Sequence, residues 1–309
     1  MAERKALREL AQGGVLLSSR ALDAGWPRRS LTRAVRREGW TRLRAGAWVQ
    51  PGHAAGFATH LRAVQLLHPQ LVVSHLSAAG LWRIETLTSL DGAALEFVDP
   101  ELGLRREGRG VRVYRIPLDE ADVAVRNGLR VTNPPRTLAD LLRSGPRDVA
   151  IVALESALTY RRVNGVRRAP LTRLDAVAAA LEAPLQGKVR GQNRLGTSEP
   201  RSGSPAETIA RLRMYDVGLH PESQAELLTP DGRRLYLDFL FRAEGLAVEI
   251  EGYAYHGTRD AHRRDVDRFN QVMRCSEIRS LLRFTAEDVF HRPARMIREI
   301  LSALGAPRS

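Results

Sequence analysis

Residues 235–256, reading LYLDFLFRAEGLAVEIEGYAYH, constrain this chain more than any other stretch. Two short apolar runs flank Arg242, Ala243, Glu244 and Gly245, which reads as a tight turn between two strands. Side chains alternate faces along a strand, so Glu249 and Glu251 share one face while Leu246, Val248 and Ile250 take the other. In a hairpin closed by that turn Phe241 pairs with Leu246, and the same register sets Asp238 opposite Glu249. Three carboxylates on one face of an apolar hairpin repel one another and call for a compensating cation. Oxygen-only ligands suit Mg²⁺ or Mn²⁺ better than zinc. Such an ion polarises a phosphoryl oxygen and turns bound water into a nucleophile. The reading is a phosphodiester-cutting site with Asp238, Glu249 and Glu251 as metal ligands; the bland alternative is a salt-bridged sheet face.

A chain of 309 residues accommodates two or three domains, and 43% apolar residues can build their cores. No run approaches the length of a membrane span, and the N-terminus lacks the pattern of a secretory leader. The single cysteine, Cys275, excludes an internal disulfide and a cysteine-based zinc site. A cytoplasmic protein with no membrane association is expected. The net charge is +13, and its distribution carries the information. Residues 1–50 hold 11 basic and 4 acidic side chains, residues 51–190 hold 19 and 14, and residues 191–309 hold 18 and 17. More than half of the excess therefore sits in the first sixth of the chain, the footprint of a nucleic-acid contact module.

Those first fifty residues read as three helices and a hairpin. Arg4–Gln12 ends at Gly13-Gly14, a second helix capped by Ser18 or Ser19 runs to Gly25, and Arg28–Glu38 follows Pro27 and stops at Gly39. Trp40–Leu43 and Ala47–Val49 flank Arg44-Ala45-Gly46, a plausible tight turn. This is the pattern of a winged helix-turn-helix, with the third helix in the major groove and the hairpin on the backbone. Arg28, Arg29, Arg33, Arg36, Arg37, Arg42 and Arg44 are the expected DNA contacts. The run GGVLLSSRALDAGWPRRSLTRAVRREGWTRLRAGAWV resembles the N-terminal domain of AbiEi-type antitoxins. Segments around His75–Ala79 and Val131–Asp140 resemble the region that follows it in that family. Between them, alternation over Leu95–Val98, Val111–Ile116 and Leu129–Val131 suggests a small sheet, with helices over Asp148–Tyr160 and Leu171–Leu181. His75, after an apolar strand, is expected to be a packed, hydrogen-bonded histidine. From Gln186 to Ser204 the chain is Gly-, Ser- and Arg-rich without periodicity and reads as a linker.

Past that linker, Asp238, Glu249 and Glu251, the run Glu251–His256, then Asp265, Arg268, Asn270 and Leu282–Thr285 resemble the PD-(D/E)XK nuclease superfamily, specifically its very-short-patch-repair-like branch. Ser204–Glu207 and Pro221–Gln224 extend the match, which spans residues 200–305. The resemblance implies a metal-dependent endonuclease, with His256 acting on the nucleophile or leaving group. One departure stands out: the lysine in the family's name is replaced by Glu251, and no lysine follows Lys188. His256, Arg264 or Arg268 could supply the missing polarity. Ser204-Pro205-Ala206-Glu207 also fits a capping box, while the resemblance makes Glu207 an extra acid near the metal; both can hold. Asp265, Asp267 and Arg268 also read as an ordinary solvated helix face.

The expected architecture is multi-domain α/β. It comprises a winged helix-turn-helix over 1–55, an α+β middle domain over 56–185, a linker over 186–203, and a restriction-endonuclease-like mixed sheet flanked by helices over 204–305. The expected function is a DNA-directed, Mg²⁺- or Mn²⁺-dependent endonuclease in repair or phage defence. The competing reading is a non-enzymatic AbiEi-like regulator of a toxin operon with a degenerate nuclease fold.

Overall fold

In the computed structural model residues 5–103, 110–163, 166–251 and 259–305 are described. They form a mixed α/β fold, and the chain divides into two compact units. The first comprises residues 1–84, 88–144 and 176–188; the second comprises 85–87, 145–175 and 189–309.

The first unit begins with α1 (Leu7–Leu10), β1 (Val15–Leu17), α2 (Ser18–Asp23), α3 (Arg28–Arg37), β2 (Thr41–Arg44) and β3 (Ala47–Val49). Leu31, Ala34 and Val35 recur at the spacing of one helix face, so α3 buries that stripe against Leu7, Leu10, Leu16, Ala21 and Trp40. The turn between β2 and β3 needs Gly46, whose φ of +79° is open to glycine at no steric cost. The expected helices and hairpin form, with one addition: β1 pairs antiparallel with β3, giving the sheet order β1-β3-β2. That strand replaces the expected serine cap, because the residue preceding α2 is Leu17 and no side chain caps the helix.

The same unit continues through α4 (Phe57–Leu67), β4 (Val72–Val73), α5 (His75–Trp82), β5 (Leu95–Val98), β6 (Val111–Tyr114), β7 (Val123–Arg126), β8 (Leu129–Thr132) and α6 (Pro134–Ser144). The strands form one sheet in the order β6-β5-β4-β8-β7, with Val73, Phe97 and Val131 in its core. His75 is the packed histidine expected. It is buried, stacks on Tyr114 with ring centroids 3.6 Å apart, and places Nδ1 2.9 Å from the Ser74 hydroxyl. Burial, reinforced by Arg136 and Arg112, pushes its pKa down to about 3, so the ring stays neutral.

The second unit starts earlier than expected. Helix α7 (Arg147–Leu158), read above as part of the middle domain, packs Ile151 and Val152 into the core of the C-terminal sheet. It is followed by β9 (Arg161–Val163) and β10 (Val166–Arg168); the chain then returns to the first unit for most of α8 (Leu174–Leu181) before α9 (Lys188–Leu195). Helix α9 lies within the expected linker; Gly191 is its one buried residue, so no apolar stripe marks it in the sequence. Then come α10 (Pro205–Asp216), β11 (Glu222–Leu228), β12 (Arg234–Phe241), β13 (Leu246–Glu251), α11 (Arg259–Met273), β14 (Ser280–Thr285), α12 (Ala286–His291) and α13 (Pro293–Ala303).

The C-terminal sheet has the order β11-β12-β13-β14. The first three strands are antiparallel neighbours, and β14 joins β13 in parallel after the α11 crossover. One face packs Val248, Ile250 and Phe284 against α10, α12 and α13 through Ile209, Val289 and Met296. The other packs Ala225, Leu237 and Ala247 against Val272 of α11 and Cys275. Phe241 pairs with Leu246 as expected. Gly245 closes the turn with φ +63°, and a Cβ there would lie 2.8 Å from the Glu277 carbonyl oxygen.

Candidate active site

The β12–β13 ladder runs from Phe241↔Leu246 to Phe239↔Val248 and goes no further, so the expected Asp238↔Glu249 rung does not form. Asp238 instead accepts the Ile250 backbone N–H through its own carboxylate, at 2.8 Å. A side-chain acceptor thus takes the place of the strand's carbonyl. Two further irregularities coincide here. Leu237 and Leu240 pack in the same apolar cluster while Phe239 and Phe241 pack in the other, so the alternation of β12 slips beside Asp238. Across the gap in the β11–β12 ladder, between Ser223↔Phe239 and Ala225↔Leu237, Gln224 holds φ +48°. A non-glycine residue persists in that region only where its surroundings hold it, and such strain gathers at functional sites.

The side chain of Gln224 explains what is held. Its amide donates to Asp238 at 3.2 Å and to Glu207 at 3.0 Å, so it links two carboxylates. Glu207 stands at the capped start of α10, as expected, and also faces Asp238. Its backbone N–H is capped by the Ser204 hydroxyl, and its carboxylate accepts from that hydroxyl at 2.9 Å and from the Gly203 N–H at 2.8 Å. The oxygen that takes Gly203 also takes Gln224, so the first turn of α10 is tied to the acids of the sheet. Burial, the neighbouring Glu207 and then Glu249 push the Asp238 carboxyl up to about 7, against the opposing Ile250 and Gln224 hydrogen bonds. An acid held this way favours any cation that shares its site.

Arginines compensate the other two acids. Arg268 of α11 donates to Glu249 at 2.6 Å and to the Tyr236 carbonyl at 2.7 Å. Arg283 of β14 forms an ion pair of 2.8 Å with Glu251. The cation demanded by the crowded face is thus supplied in part by the protein. Among the described residues no three His, Cys, Asp or Glu side chains are grouped so as to hold a metal ion as they stand. Glu207, Asp238 and Glu249 nonetheless offer the oxygen type that a hard divalent ion prefers, and Asp238 carries charge at a cost. Glu251 is engaged by Arg283, and no hydrogen bond between it and Glu207, Gln224 or Asp238 is seen among the described residues. His256 lies outside the described residues, as do the side chains of Arg264 and Asp265.

Two residues of the site had no role in the sequence reading. Gln224 fell within a matched segment, but only its strained backbone singles it out. Arg283 reaches Glu251 through a parallel register, Glu251↔Thr285, that no local turn sets.

In the first unit, Arg28, Arg29, Arg33, Arg36, Arg37 and Arg42 are exposed around the buried stripe of α3 and on the adjoining hairpin. Arg44 differs. It is half-buried, its Nε has no hydrogen-bond partner, and it lines a cavity of about 420 Å³ with Phe57, His60 and Asp91. Among the described residues no helix is long and apolar enough to cross a membrane.

No family model matches the chain, and no curated protein matches it. Among solved structures it is similar to the crystal structure of the RV2827C protein from Mycobacterium tuberculosis, at 18% identity and a TM-score of 0.41, over 70% of this chain and 84% of that one.

Proposed function

We propose that this chain is a DNA-directed endonuclease whose second unit hydrolyses phosphodiester bonds with the help of a divalent metal ion. The observation that carries this reading is the Glu207–Gln224–Asp238 arrangement. A strained glutamine links two acids, Glu249 adds its charge to theirs, and Asp238 is held at about 7. In a purely structural cluster such repulsion would be a standing cost with no return. Asp238 and Glu249 would hold the metal, with Glu207 beside them, and Mg²⁺ or Mn²⁺ would supply Lewis acidity and an activated water. Arg268 holds Glu249 in place before the metal arrives and is placed to meet a phosphate's negative charge once displaced. Arg283 pairs with Glu251 and orients it where the family has its lysine. On this reading the sheet of the second unit is a PD-(D/E)XK-like nuclease core, and the first fifty residues are a winged helix-turn-helix that brings it to DNA.

A second reading has its own observation. Because Arg268 and Arg283 already neutralise Glu249 and Glu251, the same fold could serve an AbiEi-like regulator with no catalysis. The separating experiment incubates the full chain with plasmid and with single-stranded DNA, in Mg²⁺, in Mn²⁺ and in chelator. Nicking or linearisation that needs the metal and disappears in Asp238→Asn and Glu249→Gln supports the nuclease. Binding without cleavage in every condition supports the regulator.

A further inference from the structure

Between Thr159 and Arg173 the chain carries five arginines and no acid, which equals the whole positive surplus of residues 51–190. This segment forms the two-stranded sheet of β9 and β10 within the second unit. Its antiparallel register sets Arg162 across from Arg167 and Arg161 across from Arg168, so two consecutive rungs pair like charges. Like charges directly opposite one another weaken a sheet. A ribbon this short is marginal in water even without that penalty.

Nothing around Arg167 and Arg168 removes the repulsion. Both are exposed, and among the described residues neither has a carboxylate partner; Arg173 is the one that pairs, with Asp175 at 2.7 Å. The Arg167 guanidinium lies over the Tyr160 ring, 4.3 Å from its centroid, with Tyr160 63% and Val166 51% exposed. Arg167 and Arg168, beside an aromatic face and with no carboxylate partner among the described residues, have the chemistry of a polyanion contact. Arginine grips phosphate in a bidentate manner, and a two-stranded β-ribbon is of a size to enter the major groove.

We propose that the β9–β10 ribbon is a DNA-binding arm of the second unit, holding the duplex phosphate backbone through Arg161, Arg162, Arg167 and Arg168. It rests on the DNA-directed reading above and not on the metal, and it adds a contact separate from the arginines of α3. The nuclease unit then holds DNA by itself.

The test uses the full chain and a 30-base-pair duplex, with affinity measured by fluorescence anisotropy across a salt series. Three variants are compared with wild type: all four ribbon arginines to Gln, all four to Lys, and a control with Arg33, Arg36 and Arg37 changed to Gln. Each phosphate contact contributes about 0.9 to the slope of log affinity against log salt, so the Gln ribbon should lose roughly 3–4 of that slope. The Lys ribbon should keep it. The ribbon lies outside the core, so melting temperatures should match wild type; Arg167→Glu alone, a milder change, should still lower affinity. A Gln ribbon with wild-type slope beside a weakened control overturns the arm and leaves the DNA-directed reading standing. A Lys ribbon as weak as the Gln ribbon overturns it too, since charge would not be the cause. A wild-type chain with no salt-sensitive binding overturns both.

Discussion

Two clusters of buried or half-buried charge in the second unit are built on opposite principles. Around Glu155 the carboxylate is met by donors on every side. Its carboxylate takes the Arg211 guanidinium, the Thr208 hydroxyl at 2.6 Å and the Glu199 N–H at 2.7 Å, while Arg211 donates to the Thr197 carbonyl at 2.7 Å. One acid meets one base, both nearly without solvent exposure, and the pair locks α7 to α10. Around Asp238 the balance is reversed: Glu207 and Glu249 crowd it, a neutral amide links two of the three, and Arg268, which meets Glu249, is 42% exposed. The lesson is that burial alone does not mark a site. A cluster that satisfies itself is architecture, and a cluster left with surplus charge of one sign is waiting for a partner.

If the contrast is right, the two clusters should respond to mutation in opposite directions. Breaking the first by Glu155→Gln or Arg211→Met leaves a buried charge alone and should cost about 3–5 kcal/mol in chemical denaturation. A loss under about 1 kcal/mol would mean that the pair holds nothing together.

The second cluster should gain from losing an acid. In the folded chain the Asp238 carboxyl titrates near 7, whereas an unfolded aspartate titrates near 4. The folded state therefore keeps a proton that the unfolded state has released across that window, and stability falls as pH rises through it. Asp238→Asn removes this loss. In chelator the variant and wild type should be alike at pH 4, and the variant should be roughly 4 kcal/mol more stable by pH 8. A variant less stable than wild type at pH 8 would make Asp238 a structural residue like Glu155.

A smaller effect is expected at Arg268, which competes with any metal for Glu249. Arg268→Ala should cost under about 1 kcal/mol without metal, because the pair is partly exposed. It should also strengthen the stabilisation that a fixed Mn²⁺ concentration confers, since binding to the native state alone raises stability. Unchanged stabilisation would show that the arginine does not guard the site. Smallest of all, single substitution of Arg33, Arg36 or Arg37 by Gln should leave stability within about 0.5 kcal/mol. It should lower the salt dependence of duplex binding by about 1.

The same contrast explains what could be read from the sequence. The Phe241↔Leu246 register was legible because the turn residues lie between the two strands, with Gly245 filling a position where a Cβ would meet backbone. The buried stripe of α3 was legible because Leu31, Ala34 and Val35 are spaced on one helix face. Strand β1 was not, since its three residues leave no alternation to count. The expected Asp238↔Glu249 rung failed for a chemical reason: a carboxylate beside a backbone N–H can take the bond that regular pairing assigns to a carbonyl. The arginine that meets Glu251 arrives on β14 after the α11 crossover, and parallel register carries no local signature. The place of α7 was hidden because its buried residues run almost all round the helix, so its periodicity names no particular neighbour.

The central claim, that Glu207, Asp238 and Glu249 form a divalent-metal site, is tested most directly by counting Mn²⁺ bound to the full chain with electron paramagnetic resonance near pH 7.5. The account expects one ion per chain, displaced by Mg²⁺ and lost in both Asp238→Asn and Glu249→Gln, while Glu251→Gln retains it. No bound ion in the wild-type chain, or the same occupancy in wild type and Asp238→Asn, would contradict it and make the acids a salt-bridged face.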